Sequence, residues 1–163
     1  MSKWVSRSVV RVDADEVTCP AHVILRYRLE RAMVEDKLQP DDLPQVWSET
    51  MVELFNVSPA DNRRGCLQDI HWYDGAWGYF PTYAIGAIAA AQLFAAAKVA
   101  NPQVLLGLFT GDFRPLIKSL GKNIHSSGFR YTTDGIFEKA TGRKLDPCNF
   151  KRHLKIRYLL QLQ

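Results

Sequence analysis

The stretch Gly65-Cys66-Leu67-Gln68-Asp69-Ile70-His71-Trp72, followed by Gly75-Ala76-Trp77-Gly78-Tyr79-Phe80-Pro81-Thr82-Tyr83, carries most of the information in this chain. Its apolar positions follow neither a helical nor a strand period, and its glycines are costly inside either element. It reads as an ordered loop. Loops this dense in polar and aromatic side chains are commonly shaped around a ligand. His71, beside Asp69 and Trp72, is therefore a candidate site residue. Tyr79 and Tyr83 flank Pro81, whose fixed φ suits the first turn of a helix. A phenol placed there can donate a hydrogen bond to an oxyanion, and a helix N-terminus favours negative charge. The same aromatic cluster could equally form core, with its hydroxyls on backbone.

On either side of this loop the chain alternates helical patterns with turn chemistry. Upstream, Asp13 and Glu16 resemble a capping pair. Val17, Ala21, Ile24, Leu25, Leu29, Ala32 and Met33 then follow helical spacing to about Asp36, with Arg26 and Glu30 placed to pair. Pro40-Asp41-Asp42 opens a second helix with a stripe of Leu43, Trp47, Met51 and Leu54. Residues 56–65 are polar loop. Downstream, Pro81 starts a helix rich in Ala and Gly that ends at Asn101-Pro102. Small residues let neighbouring backbones approach, so this helix is expected to be buried and central. Shorter helices are expected at about 103–109, 115–126 and 133–140, with a terminal one marked by Phe150, Leu154 and Tyr158. No run of strands is convincing. The fold class read from the pattern is all-α, with residues 1–163 as one segment.

The chain has 163 residues, 47% of them hydrophobic, enough for a domain with a core. Its net charge of +4 is spread out, which argues against a nucleic-acid binder; the densest basic run, Lys151 to Arg157, reads as a solvated helix face. Three widely spaced cysteines, Cys19, Cys66 and Cys148, give no disulfide framework and suit a reducing compartment. The N-terminus shows no apolar signal core, so a cytoplasmic location is expected. Ala84 to Ala97 is apolar except for Gln92, but it is short and weakly hydrophobic for a membrane span.

Of the four histidines, His22, His71, His125 and His153, no two stand four apart, and no His-Glu-x-x-His occurs. A helical zinc site of the peptidase type is absent from the sequence. Cys19 and His22 with Cys66 and His71 have suitable residue types for a structural zinc, but the wrong spacing and turn chemistry. His22 shares a helix face with Asp15, Thr18 and Arg26 and reads as a satisfied structural histidine. Arg11 begins Arg-x-x-Ala-Asp. Its guanidinium can grip a carboxylate through two parallel hydrogen bonds, or pair with Asp13, Asp15 or a neighbour.

These residues also resemble a known family. Val10 to Thr18 is similar to the Ile/Val-Arg-x-x-Ala-Asp-Glu-x-Thr motif of the carboxypeptidase Taq family, the thermostable-type zinc metallocarboxypeptidases. His22 to Glu30 resembles the family's next stretch. Gly65 to Trp72 matches its Gly-x-x-Gln-Asp-x-His-Trp, and Gly78 to Tyr83 its Gly-Tyr-Phe-Pro-Thr-Tyr. The order of Asn123-Ile124-His125, Ala140-Thr141-Gly142 and Leu145-Asp146-Pro147 fits as well. Departures include Cys19 in place of a common Tyr, Trp77 in place of Phe, and Ala87 to Ala89 in place of a more polar stretch.

The resemblance implies a large all-α, saddle-like fold, usually a homodimer, that removes single residues from peptide C-termini with one zinc. The family's zinc ligands precede the Arg-x-x-Ala-Asp motif. The chain thus resembles the C-terminal third of such an enzyme, with no metal ligand and no cofactor in this chain alone. By the resemblance, Arg11 would hold the substrate carboxylate, Tyr83 would be the oxyanion donor with His71 beside it, and Tyr79 would be a further substrate contact. Expected partners are peptide C-termini, once the missing part is supplied, and a second copy of the chain; no membrane is expected.

Overall fold

The structure, a computed structural model, describes Val5 and residues 7–159; the ends of the 1–163 segment lie outside the described residues. Among these the regular structure is helical throughout, with no strand. The helices are α1 (Cys19–Val34), α2 (Leu43–Phe55), α3 (Pro81–Ala100), α4 (Gln103–Thr110), α5 (Arg114–Asn123), α6 (Thr133–Thr141) and α7 (Cys148–Tyr158), with single 3-10 turns at Arg11–Asp13, Pro40–Asp42 and His125–Ser127. The all-α expectation holds. The chain reads as one piece in sequence; its helices gather into two compact units, Met1–Ile85 and Gly86–Gln163.

In the first unit, the start of α1 differs from the expected capping pair. Asp13 ends the 3-10 turn. Asp15 Oδ1 accepts the amides of Val17 and Thr18 at 2.8 and 2.9 Å, and the regular helix begins at Cys19. An Asx turn satisfies two amides that the helix itself would leave bare. Pro20 then sits in the first turn, where its missing N–H costs nothing. The helix ends at Val34, before Asp36 at φ 55°.

The inward face of α2 is Leu43, Trp47, Met51 and Phe55, with Leu54 only partly buried beside them. It closes on Leu25, Leu29, Leu38 and Cys66 to form the core. Fully burying each large apolar side chain stabilises by about 1.5–3 kcal/mol. Asn56 stops α2 in the left-handed conformation, which its short amide tolerates. The inward face of α1 is mixed: His22, Arg26 and Glu30 are as buried as Leu25 and Leu29. Buried polar groups need partners, and the loop after residue 65 supplies them.

The expectation of a buried central helix at Pro81 is corrected. On α3 only Gln92 and Ala97 are buried. Most of its residues are only partly buried, and Ile85 is exposed. The helix is long and apolar enough to cross a membrane by length and composition, a test that core helices of soluble proteins also pass. In the second unit Gln92 is the polar anchor. Its Nε2 donates to Thr141 Oγ1 at 2.8 Å and to the Lys144 carbonyl at 3.0 Å, and its Oε1 accepts the Asp146 amide at 3.0 Å.

Candidate functional site

The loop of residues 65–80 is held against α1 by charge and by its own glycines. Gly75 and Gly78 take positive φ, 73° and 77°, which lets the chain reverse twice before Pro81. The Gly78 amide donates to the buried Glu30 carboxylate. The expected Arg26–Glu30 pair is not made: Glu30 holds the loop backbone, and Arg26 is drawn to Asp69 and Gln68.

Asp69 and Gln68 form the centre of this arrangement. Arg26 Nε donates to Asp69 Oδ2, and its Nη2 donates to Gln68 Oε1 at 2.9 Å. Arg11 Nη2 reaches Asp69 Oδ1 at 3.4 Å, and the Arg11 amide donates to Gln68 Oε1 at 3.2 Å. Gln68 Nε2 donates to the carbonyls of Val9, Arg64 and Gly65 at 3.0, 2.9 and 3.1 Å. One amide side chain thus ties the strand of chain before α1 to the loop. Burial pulls the Arg26 guanidinium below its ordinary value, and the Asp69 carboxylate opposes that pull. The ring of Trp47 lies under the same guanidinium at 4.8 Å.

His22 completes the buried side of the cluster. Its Nε2 donates to the Ser8 carbonyl at 3.1 Å, its Nδ1 faces Arg26 Nη1 at 3.4 Å, and its ring stacks on Phe55 at 4.3 Å. Burial, and next the Arg26 charge, lower its pKa to about 4. It is a neutral, satisfied structural histidine, as its helix position suggests.

The candidate residues converge on the outer side. His71 Nε2 and the Tyr83 hydroxyl are 2.9 Å apart. The Arg11 guanidinium lies over the Tyr83 ring, 4.5 Å from its centroid. Tyr79 stands beside both, its ring 5.6 Å from His71 and 5.5 Å from Tyr83. His71 Nδ1 is 3.7 Å from Asp69 Oδ1. Arg11, His71, Tyr79 and Tyr83 therefore form one cluster. Arg11 makes its ion pair with Asp69, which sequence reading did not pick as its partner.

Two guanidinium groups share one carboxylate at Asp69. Arg26 holds the tight contact and Arg11 the long one. Arg11 Nε and His71 Nδ1 are buried without a hydrogen-bond partner. A buried donor left unpaired costs about 1–3 kcal/mol.

Among the described residues no group of three or more His, Cys, Asp and Glu side chains is placed to hold a metal ion. A zinc site takes at least three protein ligands. His22 is committed to Ser8, and Cys66 lies in the apolar core, where burial pushes its thiol up. Neither of these two is therefore placed to serve as a zinc ligand.

The four residues named from sequence are brought together, and the clamp of Arg26, Gln68 and Asp69 behind them was not anticipated. Its one signal was the adjacent Gln-Asp pair in a loop facing an arginine-bearing helix.

A family model of the carboxypeptidase Taq (M32) metallopeptidases matches residues 2–158. The chain belongs to this family. It is 38% identical over 150 residues to thermostable carboxypeptidase 1 of Pyrococcus furiosus, covering 92% of this chain and 30% of the relative. It is 36% identical over 154 residues to thermostable carboxypeptidase 1 of Thermus thermophilus, covering 94% of this chain and 30% of the relative. Among solved structures, metallocarboxypeptidase 1 of Trypanosoma cruzi superposes with a TM-score of 0.90 at 36% identity, covering 96% of this chain and 33% of that one. The M32 carboxypeptidase of Deinococcus radiodurans gives 0.90 at 38%, covering 94% and 31%. The chain thus spans about 30% of the length of its carboxypeptidase Taq relatives.

Proposed function

We propose that this chain supplies the substrate-carboxylate and oxyanion-binding part of a zinc metallocarboxypeptidase of the carboxypeptidase Taq family. The complete enzyme removes single residues from peptide C-termini. Arg11 takes the substrate's terminal carboxylate, Tyr83 donates to the developing oxyanion, and His71 and Tyr79 position the peptide. The observation that carries this reading is the state of Arg11: Arg26 holds Asp69 tightly, so the Arg11 guanidinium makes one long bond to Asp69 and lies over the Tyr83 ring beside His71. A guanidinium in that state suits a carboxylate, which can receive two parallel bonds from it. A preorganised phenol donor in a partly buried site is worth about 10²–10³ in kcat. The zinc, which activates water and polarises the carbonyl in such enzymes, would be held by residues outside this chain.

The chain alone is expected not to hydrolyse peptides. The test is release of C-terminal residues by the purified chain with zinc supplied. Turnover that needs zinc and is lost in Tyr83→Phe would overturn the incomplete-site reading.

A second reading, a non-catalytic interaction module, is favoured by the apolar surface on the same loop. Ile70, Tyr73 and Trp77 are exposed beside the site. Exposed apolar groups in one patch mark contact surfaces. The chain would then pair with a second copy or with a longer relative, and bind without turnover. A species that stays monomeric at high concentration, and ignores a full-length relative, would remove this reading. A cytoplasmic location is part of the proposal, supported by the three free cysteines Cys19, Cys66 and Cys148.

A further inference from the structure

Two neighbours of His71 are fixed, and together they determine where its proton sits. On one side Nε2 lies 2.9 Å from the Tyr83 hydroxyl. On the other, Nδ1 lies 3.7 Å from Asp69 Oδ1 and has no hydrogen-bond partner. Neutral imidazole has one N–H and one lone pair. A lone pair on Nδ1 would face a buried carboxylate oxygen, acceptor against acceptor. A proton on Nδ1 faces that oxygen favourably. The remaining neighbours of the ring are Tyr79 and Phe80, at centroid distances of 5.6 and 4.5 Å, and neither offers Nδ1 a competing bond. Asp69 cannot turn away, because Arg26 and Arg11 hold both of its oxygens.

We propose that Asp69 is the positioning residue of the His71–Tyr83 pair, holding the proton of neutral His71 on Nδ1 so that Nε2 accepts from the Tyr83 hydroxyl. The tautomer determines what the pair offers a ligand. With Nδ1–H, the resting pair is an acceptor (Nε2) and a donor (the phenol) satisfying each other. A ligand carrying an N–H beside an oxygen can separate them: its N–H replaces the phenol at Nε2, and the phenol rotates about its C–O bond to meet the oxygen. An amide carries that pattern. With Nε2–H the pair would instead present only donors, which suits an anion. The inference rests on the proposed function for the use of the phenol, and extends it to selection of peptide amides over simple anions.

The test is nitrogen-15 NMR of the labelled full chain at about pH 8, above the ordinary histidine range. His71 is assigned by the signals lost in His71→Gln. The expected result is a protonated-type shift for Nδ1 and an acceptor-type shift for Nε2. The reverse pattern overturns the proposal. In Asp69→Asn, whose amide can donate to Nδ1, the two shifts should exchange. A folded Asp69→Asn chain that keeps the original pattern also overturns it. Should that variant fail to fold, the wild-type pattern decides by itself. The readout needs no substrate, so it stays separate from the proposed function: a chain with the stated tautomer that binds no peptide refutes that reading alone.

Discussion

His71 Nε2 stands 2.9 Å from the Tyr83 hydroxyl, twelve residues along the chain, with the Arg11 guanidinium over the same phenol ring at 4.5 Å. Pro81 starts α3 between the two tyrosines, so Tyr79 and Tyr83 approach His71 from either side of a helix start. The cluster is therefore built from one loop and one helix turn, with Arg11 added from the 3-10 turn ahead of α1.

The first prediction concerns that phenol. In a chimera that replaces the matching segment of the Pyrococcus furiosus relative with this chain, Tyr83→Phe should lower kcat by about 10²–10³ and leave KM within a few-fold. Peptide hydrolysis kinetics check it. An unchanged kcat would remove Tyr83 from the reaction.

The second concerns the buried ion pair. Asp69→Ala leaves the Arg26 guanidinium buried beside an empty position. Removing one partner of a buried pair costs about 3–5 kcal/mol. The double variant Arg26→Met/Asp69→Ala should recover part of that loss, since only the less buried Arg11 charge then lacks its carboxylate. Urea denaturation of the single and double variants measures both. A single-variant cost below about 1 kcal/mol would show that Asp69 is not the counterion of Arg26.

The third follows from His22. Burial, with Arg26 beside it, lowers its pKa to about 4, below the ordinary 6.5. The unfolded chain then binds a proton at a pH where the folded chain does not. The contribution to stability is complete above about pH 6.5 and is lost as pH falls toward 4, by roughly 2–3 kcal/mol. His22→Gln, which keeps a donor and an acceptor, should flatten this part of the pH dependence. Denaturation midpoints between pH 7 and pH 4 test it; equal slopes in both proteins would contradict it.

The fourth concerns the second unit. Gln92→Leu is close in volume, yet it strands the Asp146 amide and the Lys144 carbonyl that the side chain now satisfies. Each of these hydrogen bonds contributes about 0.5–1.5 kcal/mol. Thermal unfolding should show a clear loss, and the Asp146 amide should exchange with solvent much faster. Unchanged exchange at Asp146 would contradict the anchor role.

The helices were legible because their signals are local. The stripe of Leu43, Trp47 and Met51 and the prolines at 20, 40 and 81 mark elements that the structure contains. The loop of residues 65–80 was legible as an ordered, non-helical segment by its mixture of glycine, aromatic and charged residues. The partners of its charges were not. Arg26 lies four residues from Glu30, so local spacing favours that pair, but Asp69, buried with Arg26, and the Gly78 amide, which donates to the buried Glu30, take the two charges from far along the chain. The surface of α3 misled for a related reason. Small apolar residues show that a helix can be closely packed, not that this chain supplies the packing.

The role proposed for Arg11 is to receive a peptide's terminal carboxylate. Titration of a short N-blocked peptide with a free C-terminus, and of the same peptide amidated, into the labelled chain tests it most directly. Expected are shifts at Arg11, His71 and Tyr83 with the free peptide, at least tenfold weaker binding of the amidated one, a difference of about 1.4 kcal/mol, and loss of the distinction in Arg11→Met. Equal binding of the two peptides, or a preference for the free form that survives Arg11→Met, would contradict it.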